Sequence, residues 1–307
     1  MVSGGVPSVG SLTVAVHCRG STVLQGALRR SSAAPHTPAL NGDRQRADRH
    51  SIPPNQPIRW CRPLAYLILS DIHGNLEALE AVLADAEGRY DCILCLGDLV
   101  GYGADPNAVT EWVREEAAAV VRGNHDRACS GSESLEYFNP HARAAAIWTR
   151  RALTPENRQY LTQLQRGPLR IEEPLGQFLL VHGSPVDEDQ YLSNMDDGAL
   201  MEGHLELPAT FFGHTHVQGG FRLAPAGIAR IRRDRPLTLE DGYHYLINPG
   251  AVGQPRDGDP RAAYALYSIE DQTVDYRRVE YDVQSASAKI RAAGLPEVLA
   301  LRLFEGM

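Results

Sequence analysis

The rhythm of apolar positions changes abruptly near residue 64. Residues 1–63 are rich in Ser, Pro, Gly, Ala and Arg, and show no sustained periodicity beyond Leu12–Val16 and Val23–Leu28. Such a stretch buries too little apolar surface to offset the entropy of ordering it, so a disordered N-terminal extension is predicted over 1–63. An Arg-rich targeting peptide is the competing reading, but basic, apolar and cleavage-site regions do not follow one another cleanly.

From Leu64 the pattern is regular. Leu64–Ser70 is a short apolar run, a polar turn follows, and Leu76, Leu79, Val82 and Leu83 then recur at helical spacing across Leu76–Glu87. Cys92–Leu96 repeats the strand, Pro106–Glu116 the helix, and Ala119–Val121 is a third strand. Strands alternating with helices imply right-handed crossovers and a mostly parallel sheet. Residues 141–165 predict two helical pieces, the second opened by Thr154 as N-cap and Pro155 in the first turn. Beyond them lie short strand-like runs at Phe178–Val181, Thr210–Phe212, Gly220–Leu223, Ile228–Arg232, Tyr243–Ile247, Ala262–Ile269 and Val274–Tyr281, separated by Gly and Pro. These predict a second sheet. Val283–Leu301 reads as a helical tail broken at Gly294-Leu295-Pro296. No repeat and no linker follows residue 63, so 64–307 is expected to be one domain.

Charge narrows the partners. Residues 1–60 hold seven Arg against Asp43 and Asp48, which leaves −13 on the remainder of a chain whose total is −8. An acidic domain repels polyanions at long range, which argues against nucleic acid as a partner. A small phosphate ester or a locally presented phosphoprotein fits better. No apolar run reaches 18 residues, so no membrane partner is expected. Five cysteines make an odd count without the density of a disulfide framework, which suits a reducing cytoplasm. Cys92 and Cys95, three apart on one strand, point to opposite faces, so core thiols are expected there rather than a chelating pair.

Five polar clusters each follow a predicted strand: Asp71-Ile72-His73-Gly74-Asn75, Gly97-Asp98, Gly123-Asn124-His125-Asp126, Val181-His182-Gly183 and Gly213-His214-Thr215-His216. In open α/β sheets the carboxyl edge of the strands is where ligands bind. Asp, Asn and His without thiolate suit Mn²⁺, Fe²⁺ or Zn²⁺. One central carboxylate can bridge two such ions against a phosphate, and Asp98, alone after its strand, is the natural bridge. Taken singly, Asp71 or Asp98 reads as an N-cap, Asn124 as a turn residue and His182 as a core histidine. The ordered set has no such explanation. His141, His204 and His244 are expected to be structural; Tyr102 and Tyr191 are candidates to line a substrate pocket, with packing beside the sheet edge the commoner role for such aromatics.

The series resembles that of the calcineurin-like metallophosphoesterase superfamily, and more narrowly its small single-domain bacterial and archaeal members. The likeness spans about residues 64–282 and includes Asp98-Leu99-Val100-Gly101-Tyr102-Gly103 and the segment Asn248 to Arg256. It implies an α/β fold, a four-layer α/β/β/α sandwich of two facing mixed sheets. It also implies two divalent metal ions, one held by Asp71, His73, Asp98 and His216, the other by Asp98, Asn124, His182 and His214. By the same resemblance Asn124 and His125 contact the substrate phosphate, His125 protonates the leaving oxygen, and Asp126 orients the His125 ring. The activity implied is hydrolysis of a phosphomonoester or phosphodiester by a metal-bridging hydroxide. Arg256, in the Asn-Pro-Gly loop, is a candidate phosphate anchor, with a structural salt bridge as the alternative. A metal-binding scaffold without activity, or a nuclease, are the rival functions. Intact ligand positions weigh against the first, and acidity against the second.

Overall fold

The computed structural model describes Leu12–Val14 and residues 65–307. In chain order the strands are β1 (Leu12–Val14), β2 (Tyr66–Leu69), β3 (Cys92–Cys95), β4 (Ala119–Val120), β5 (Leu169–Glu173), β6 (Gly176–Leu180), β7 (Ala209–Phe211), β8 (Gly219–Ala224), β9 (Gly227–Arg230), β10 (Leu237–Thr238), β11 (His244–Asn248), β12 (Ala262–Ser268) and β13 (Thr273–Val279). The helices are α1 (Leu76–Ala86), α2 (Pro106–Glu116), α3 (Asn124–Ser130), α4 (Pro140–Ala152), α5 (Pro155–Gln163), α6 (Met195–Ala199), α7 (Val283–Ala292) and α8 (Glu297–Glu305).

The strands form two mixed sheets. One runs β10-β13-β12-β2-β3-β4, with β2, β3 and β4 parallel and β12 antiparallel to β2. The other runs β1-β5-β6-β7-β11-β8-β9, with β6, β7 and β11 parallel. Alternation along β2 and β3 explains why both sheets can bury both faces. Tyr66, Ile68, Cys92 and Leu94 enter the core between the sheets, meeting Phe178, Leu180, Phe211 and Tyr245, while Leu67, Leu69, Ile93 and Cys95 face the helices with Leu79, Val82, Val109 and Val113. Tyr66 packs edge-on against Phe178 with ring centroids 5.4 Å apart, a geometry that adds about 1 kcal/mol beyond burial. The expected four layers are present, but the fourth is thin. Over the β6–β7–β11–β8 face lie the short α6 and loop residues Leu192, Met201 and Leu205.

Several expectations are corrected. Leu12–Val14 pairs in parallel with Leu169–Ile171, so at these three residues the predicted disorder gives way to an edge strand; the rest of 1–63 lies outside the described residues. Cys95 and Cys129 are buried free thiols, whereas Cys92 is disulfide-bonded rather than a thiol. Its sulfur faces the other core from that of Cys95, so the two do not meet. Among the described residues no helix is long and apolar enough to cross a membrane.

Candidate dimetal site

Each of the five clusters follows the carboxyl end of a parallel strand: Asp71 and His73 after β2, Asp98 after β3, Asn124 after β4, His182 after β6, and His214 and His216 after β7. The two sheets face one another, so these ends meet along one edge. Two glycines let them approach. A Cβ on Gly123 would stand 2.0 Å from Asp98 Oδ1, and one on Gly213 would stand 2.0 Å from Ser70 Oγ. The first two loops are laced by Asp71 N–H to Gly97 O at 3.0 Å, His73 N–H to Asp98 O at 2.9 Å and Gly74 N–H to Leu99 O at 2.8 Å. Seven described non-glycine residues have positive φ, and six of them are Asp71, His73, Asp98, Tyr102, His214 and His216. Such strain, on the order of 1 kcal/mol each, persists only where the surroundings impose it.

The carboxylates divide their labour by atom. Asp71 Oδ2 accepts from Ser70 Oγ at 2.7 Å and His214 N at 3.1 Å, and Asp98 Oδ1 accepts from His125 N at 2.8 Å. That leaves Asp71 Oδ1 and Asp98 Oδ2 buried with no hydrogen-bond partner. Asp98 Oδ2 lies 3.6 Å from His73 Nε2 and 3.5 Å from His182 Nε2; Asp71 Oδ1 lies 3.4 Å from His216 Nε2.

Hydrogen bonds to carbonyls set the imidazole tautomers, because a carbonyl only accepts. His73 Nδ1–H donates to Val100 O at 3.0 Å, His182 Nδ1–H to Leu96 O at 2.7 Å and His216 Nδ1–H to Gln254 O at 2.6 Å, which turns three Nε2 atoms inward. His214 is reversed: Nε2–H donates to Asp189 O at 3.2 Å and Nδ1 faces inward. His73 Nε2 and His216 Nε2 then stand 3.1 Å apart, as do His182 Nε2 and His214 Nδ1. The lone pairs of His73 and His216 are directed at one another across that distance beside the orphaned Asp71 and Asp98 oxygens, which calls for a cation, and His182 and His214 are arranged in the same way around Asp98. The donor atoms of Asp71, His73, Asp98 and His216 fall within 4.8 Å of one another, as do those of Asp98, His182 and His214. Asn124 Oδ1, 3.2 Å from His182 Nε2, joins the second group. The residues present therefore fit two divalent ions that share Asp98.

Electrostatics agree with this division. Burial holds His73 and His216 well below the ordinary imidazole range and His214 at about 3, so each is a neutral donor. For His182 burial also works downward, but the Asp98 and then the Asp71 carboxylate outweigh it and push the ring up to about 10, so with only protein groups around it the ring is charged, and it becomes a donor when an ion takes the place of its Nε2 proton. Asp98 is held well below the carboxylate range, because His182 and His125 outweigh the upward effect of burial. Burial raises Asp71 to about 7.

One expected role changes. Asp126 does not reach the His125 ring. Its Oδ2 accepts from Asp98 N and Gly123 N, both at 2.9 Å, and its Oδ1 from Leu99 N at 2.8 Å, so it clamps the Asp98 loop to the start of α3. Three backbone donors fix the orientation of its carboxylate, and the His125 ring is not among its partners. His125 Nδ1 is buried without a partner, and the ring is positioned by packing on Tyr102 at 4.4 Å, His73 at 4.9 Å and Phe138 at 5.3 Å. Burial, and after it Arg256, bring His125 down to about 4, so with only protein groups around it the ring is neutral at pH 7. Arg256 makes no ion pair among the described residues. It donates to Gln254 Oε1 at 3.0 Å and lies 5.7 Å from the Tyr102 ring, and its Nε is buried and unpartnered.

Sequence reasoning did not single out the orienting carbonyls of Leu96, Val100, Asp189 and Gln254, since a carbonyl leaves no residue-type signature. Of the two readings open for Tyr102, pocket lining and packing, its left-handed backbone and its contacts with His73 and His125 favour the first and place it in the wall of the site. Tyr191 stacks on His214 at 3.8 Å with half its surface exposed. His141 and His204 are exposed, and His244 Nδ1 bonds Leu207 O, all away from the ligand groups.

Sequence comparison agrees with the site. Residues 64–272 match the calcineurin-like phosphoesterase superfamily domain, and the chain belongs to that superfamily, whose members are generally hydrolases and typically bind divalent metals. It is similar to a metallophosphoesterase from Sphaerobacter thermophilus of known crystal structure, at 43% identity and TM-score 0.68, over 80% of this chain and 99% of that one. An uncharacterised protein of Methanocaldococcus jannaschii is 40% identical over 245 residues, which is 78% of this chain and 97% of the relative. A hypothetical protein from Pyrococcus horikoshii, at 23% identity and TM-score 0.65 over 79% of this chain and 98% of its own, shares the fold.

Proposed function

We propose that residues 64–307 form a dimetal phosphoesterase domain that hydrolyses a phosphomonoester or phosphodiester of a small molecule or a phosphoprotein. The observation that carries this reading is Asp98 Oδ2, a buried oxygen with no hydrogen-bond partner that sits between His73 Nε2 and His182 Nε2 and so belongs to both ligand groups. Asp71, His73, Asp98 and His216 would hold one ion, and Asp98, Asn124, His182 and His214 the other, with Mn²⁺, Fe²⁺ or Zn²⁺ suited to the donors. Divalent ions there would supply an activated water near neutral pH and offset the charge of the phosphate.

The rest falls to the chain itself. His125, tied through its N–H to Asp98, stands beside the first ligand group. Burial holds this ring at about 4, a phosphate anion next to it would favour the charged form, and in that form it would carry a proton to the leaving oxygen. Arg256 offers a guanidinium fork with no carboxylate to occupy it. Tyr102 and Phe138 pack around His125 and keep water from its ring. The test is to reconstitute the full chain with Mn²⁺, count bound metal, and follow release of nitrophenol from bis(p-nitrophenyl) phosphate and p-nitrophenyl phosphate. About two ions per chain with turnover is the expected result. Little metal and no product would identify a scaffold and overturn the reading.

A further inference from the structure

Arg302 lies on α8, beyond the residues that match the family, and none of the five strand-end clusters points to it. Its guanidinium donates to Gln254 Oε1 at 3.3 Å, the same oxygen that accepts from Arg256 at 3.0 Å, and it lies 6.0 Å from the Tyr102 ring, as Arg256 does at 5.7 Å. Two cations are thus held side by side by one amide oxygen and one ring face. Neither has a carboxylate partner among the described residues, and each has a buried Nε–H with no acceptor. The nearby acids pair with other arginines: Asp257 with Arg233 and Arg278 through Oδ2, its Oδ1 being buried without a partner, and Asp259 with Arg261. Arg256's charge, added to burial, disfavours the charged form of Arg302.

The pair is fixed in place. Gly306, in left-handed conformation after α8, passes its carbonyl to Gly258 N–H at 3.0 Å, which ties the end of the helix to the loop that carries Arg256. That loop is joined to a metal-ligand candidate through Arg256 N–H to His216 O at 3.1 Å and His216 Nδ1–H to Gln254 O at 2.6 Å. The Tyr102 ring beneath both arginines lies 4.4 Å from His125 and 4.7 Å from His73. The pair therefore borders the first ligand group, on the side of His73 and His216. Two divalent ions held by the Asp71 and Asp98 carboxylates would leave a net charge of about +2, which one phosphomonoester dianion matches, and two more cations beside them overshoot it unless the substrate brings another anionic group.

We propose that Arg256 and Arg302 form a subsite for a second phosphate, adjacent to the one that is cleaved, so that the natural substrate carries linked phosphates, as in a nucleoside polyphosphate or an inorganic polyphosphate. The proposal rests on the phosphoesterase reading for which phosphate is cleaved, but its binding test does not. The full chain, stripped of metal by a chelator and dialysed, is titrated calorimetrically with orthophosphate, inorganic triphosphate and adenosine triphosphate. Triphosphate is expected to bind at least about tenfold tighter than orthophosphate, the worth of an added charge-assisted contact. Arg302→Met should reduce that preference to about twofold, while Arg302→Lys, which keeps the charge and most of the stem, should retain most of it. The lysine variant also separates loss of charge from loss of helix packing. Adenosine triphosphate binding tighter than triphosphate would identify a nucleotide, and equal binding a polyphosphate chain; both support the subsite. Equal affinity for orthophosphate and triphosphate in the wild type, or an unchanged preference in Arg302→Met, would overturn it. Triphosphate preference in a chain that hydrolyses no ester after Mn²⁺ reconstitution would sink the phosphoesterase reading alone, and ester hydrolysis without the preference would sink the subsite alone.

Discussion

The two ligand groups share Asp98 but are built differently. In the first, Asp71, His73, Asp98 and His216 all have left-handed backbone, and both histidines are turned by carbonyls of neighbouring strand-end loops, Val100 and Gln254. In the second, Asp98 and His214 have left-handed backbone but His182 and Asn124 do not; His182 is turned by Leu96 O, after a strand, and His214 by Asp189 O, on a surface loop. That loop is held by ion pairs: Glu188 with Arg122 at 2.9 Å and Arg127 at 2.5 Å, and Asp189, half exposed, with Arg127 at 2.6 Å. The first group is thus set by backbone conformation and hydrogen bonds, the second partly by charges that salt and pH can reach. The second ion should therefore be the more labile.

The comparison can be broken at its shared member. Asp98→Asn removes the one charge both groups use, and is expected to abolish turnover and lower metal content at both positions; wild-type activity in this variant would contradict the assignment. Single-group changes come next. His216→Ala and His182→Ala should each leave about one ion per chain by metal analysis, because the remaining group keeps its other donors. If either lost both ions, the groups would not be separable. Asp126→Asn weakens the clamp on the Asp98 loop and should cost about 10- to 100-fold in metal affinity, the usual effect of disturbing a residue that orients a ligand. An affinity equal to wild type would show that the Asp98 loop holds its position without the clamp.

Smaller effects sharpen the contrast. Arg127→Ala should cost a few-fold in affinity for one ion only, and more at low than at high salt. The Glu188 carboxyl is held below its ordinary range, since Arg122 and Arg127 outweigh burial. Its stabilising contribution is present above the unfolded value near 4.5 and is lost as pH falls through the depressed folded value. The melting-temperature gap between wild type and Glu188→Gln should therefore be widest near pH 7 and close toward pH 3. A gap independent of pH would mean that packing, not charge, holds the loop.

Much of this was legible in the chain. Period-3.6 spacing predicted α1 over Leu76–Glu87 against the observed Leu76–Ala86, Pro106–Glu116 coincided with α2, and the Thr154-Pro155 pair marked the start of α5. The strand-end clusters were legible because Asp, Asn and His in turns after apolar runs have a chemical signature. What escaped were elements without one. The strand β5, Leu-Arg-Ile-Glu-Glu, alternates over only five residues, α3 begins inside the Asn124-His125-Asp126 cluster and was read as loop, and β10 has two residues. Asp126 was assigned to the neighbouring ring because spacing shows adjacency but not which way a carboxylate turns; three backbone N–H groups decided that. Arg302 was invisible for a related reason: 46 residues beyond Arg256, it reaches the site by helix packing alone.

The left-handed turns also govern what variation the chain tolerates. Val, Ile and Thr enter that region of backbone space only at high cost, whereas Asn, Asp and Gly enter it readily. A library randomised at Asp71, His73, Asp98, His214 and His216 and sorted only for folded protein should therefore already be depleted of β-branched residues. Retention of small polar side chains at these turns among descendants would then reflect stereochemistry as well as selection for chemistry, and the ordinary-backbone positions His182 and Asn124 are the more informative witnesses to activity.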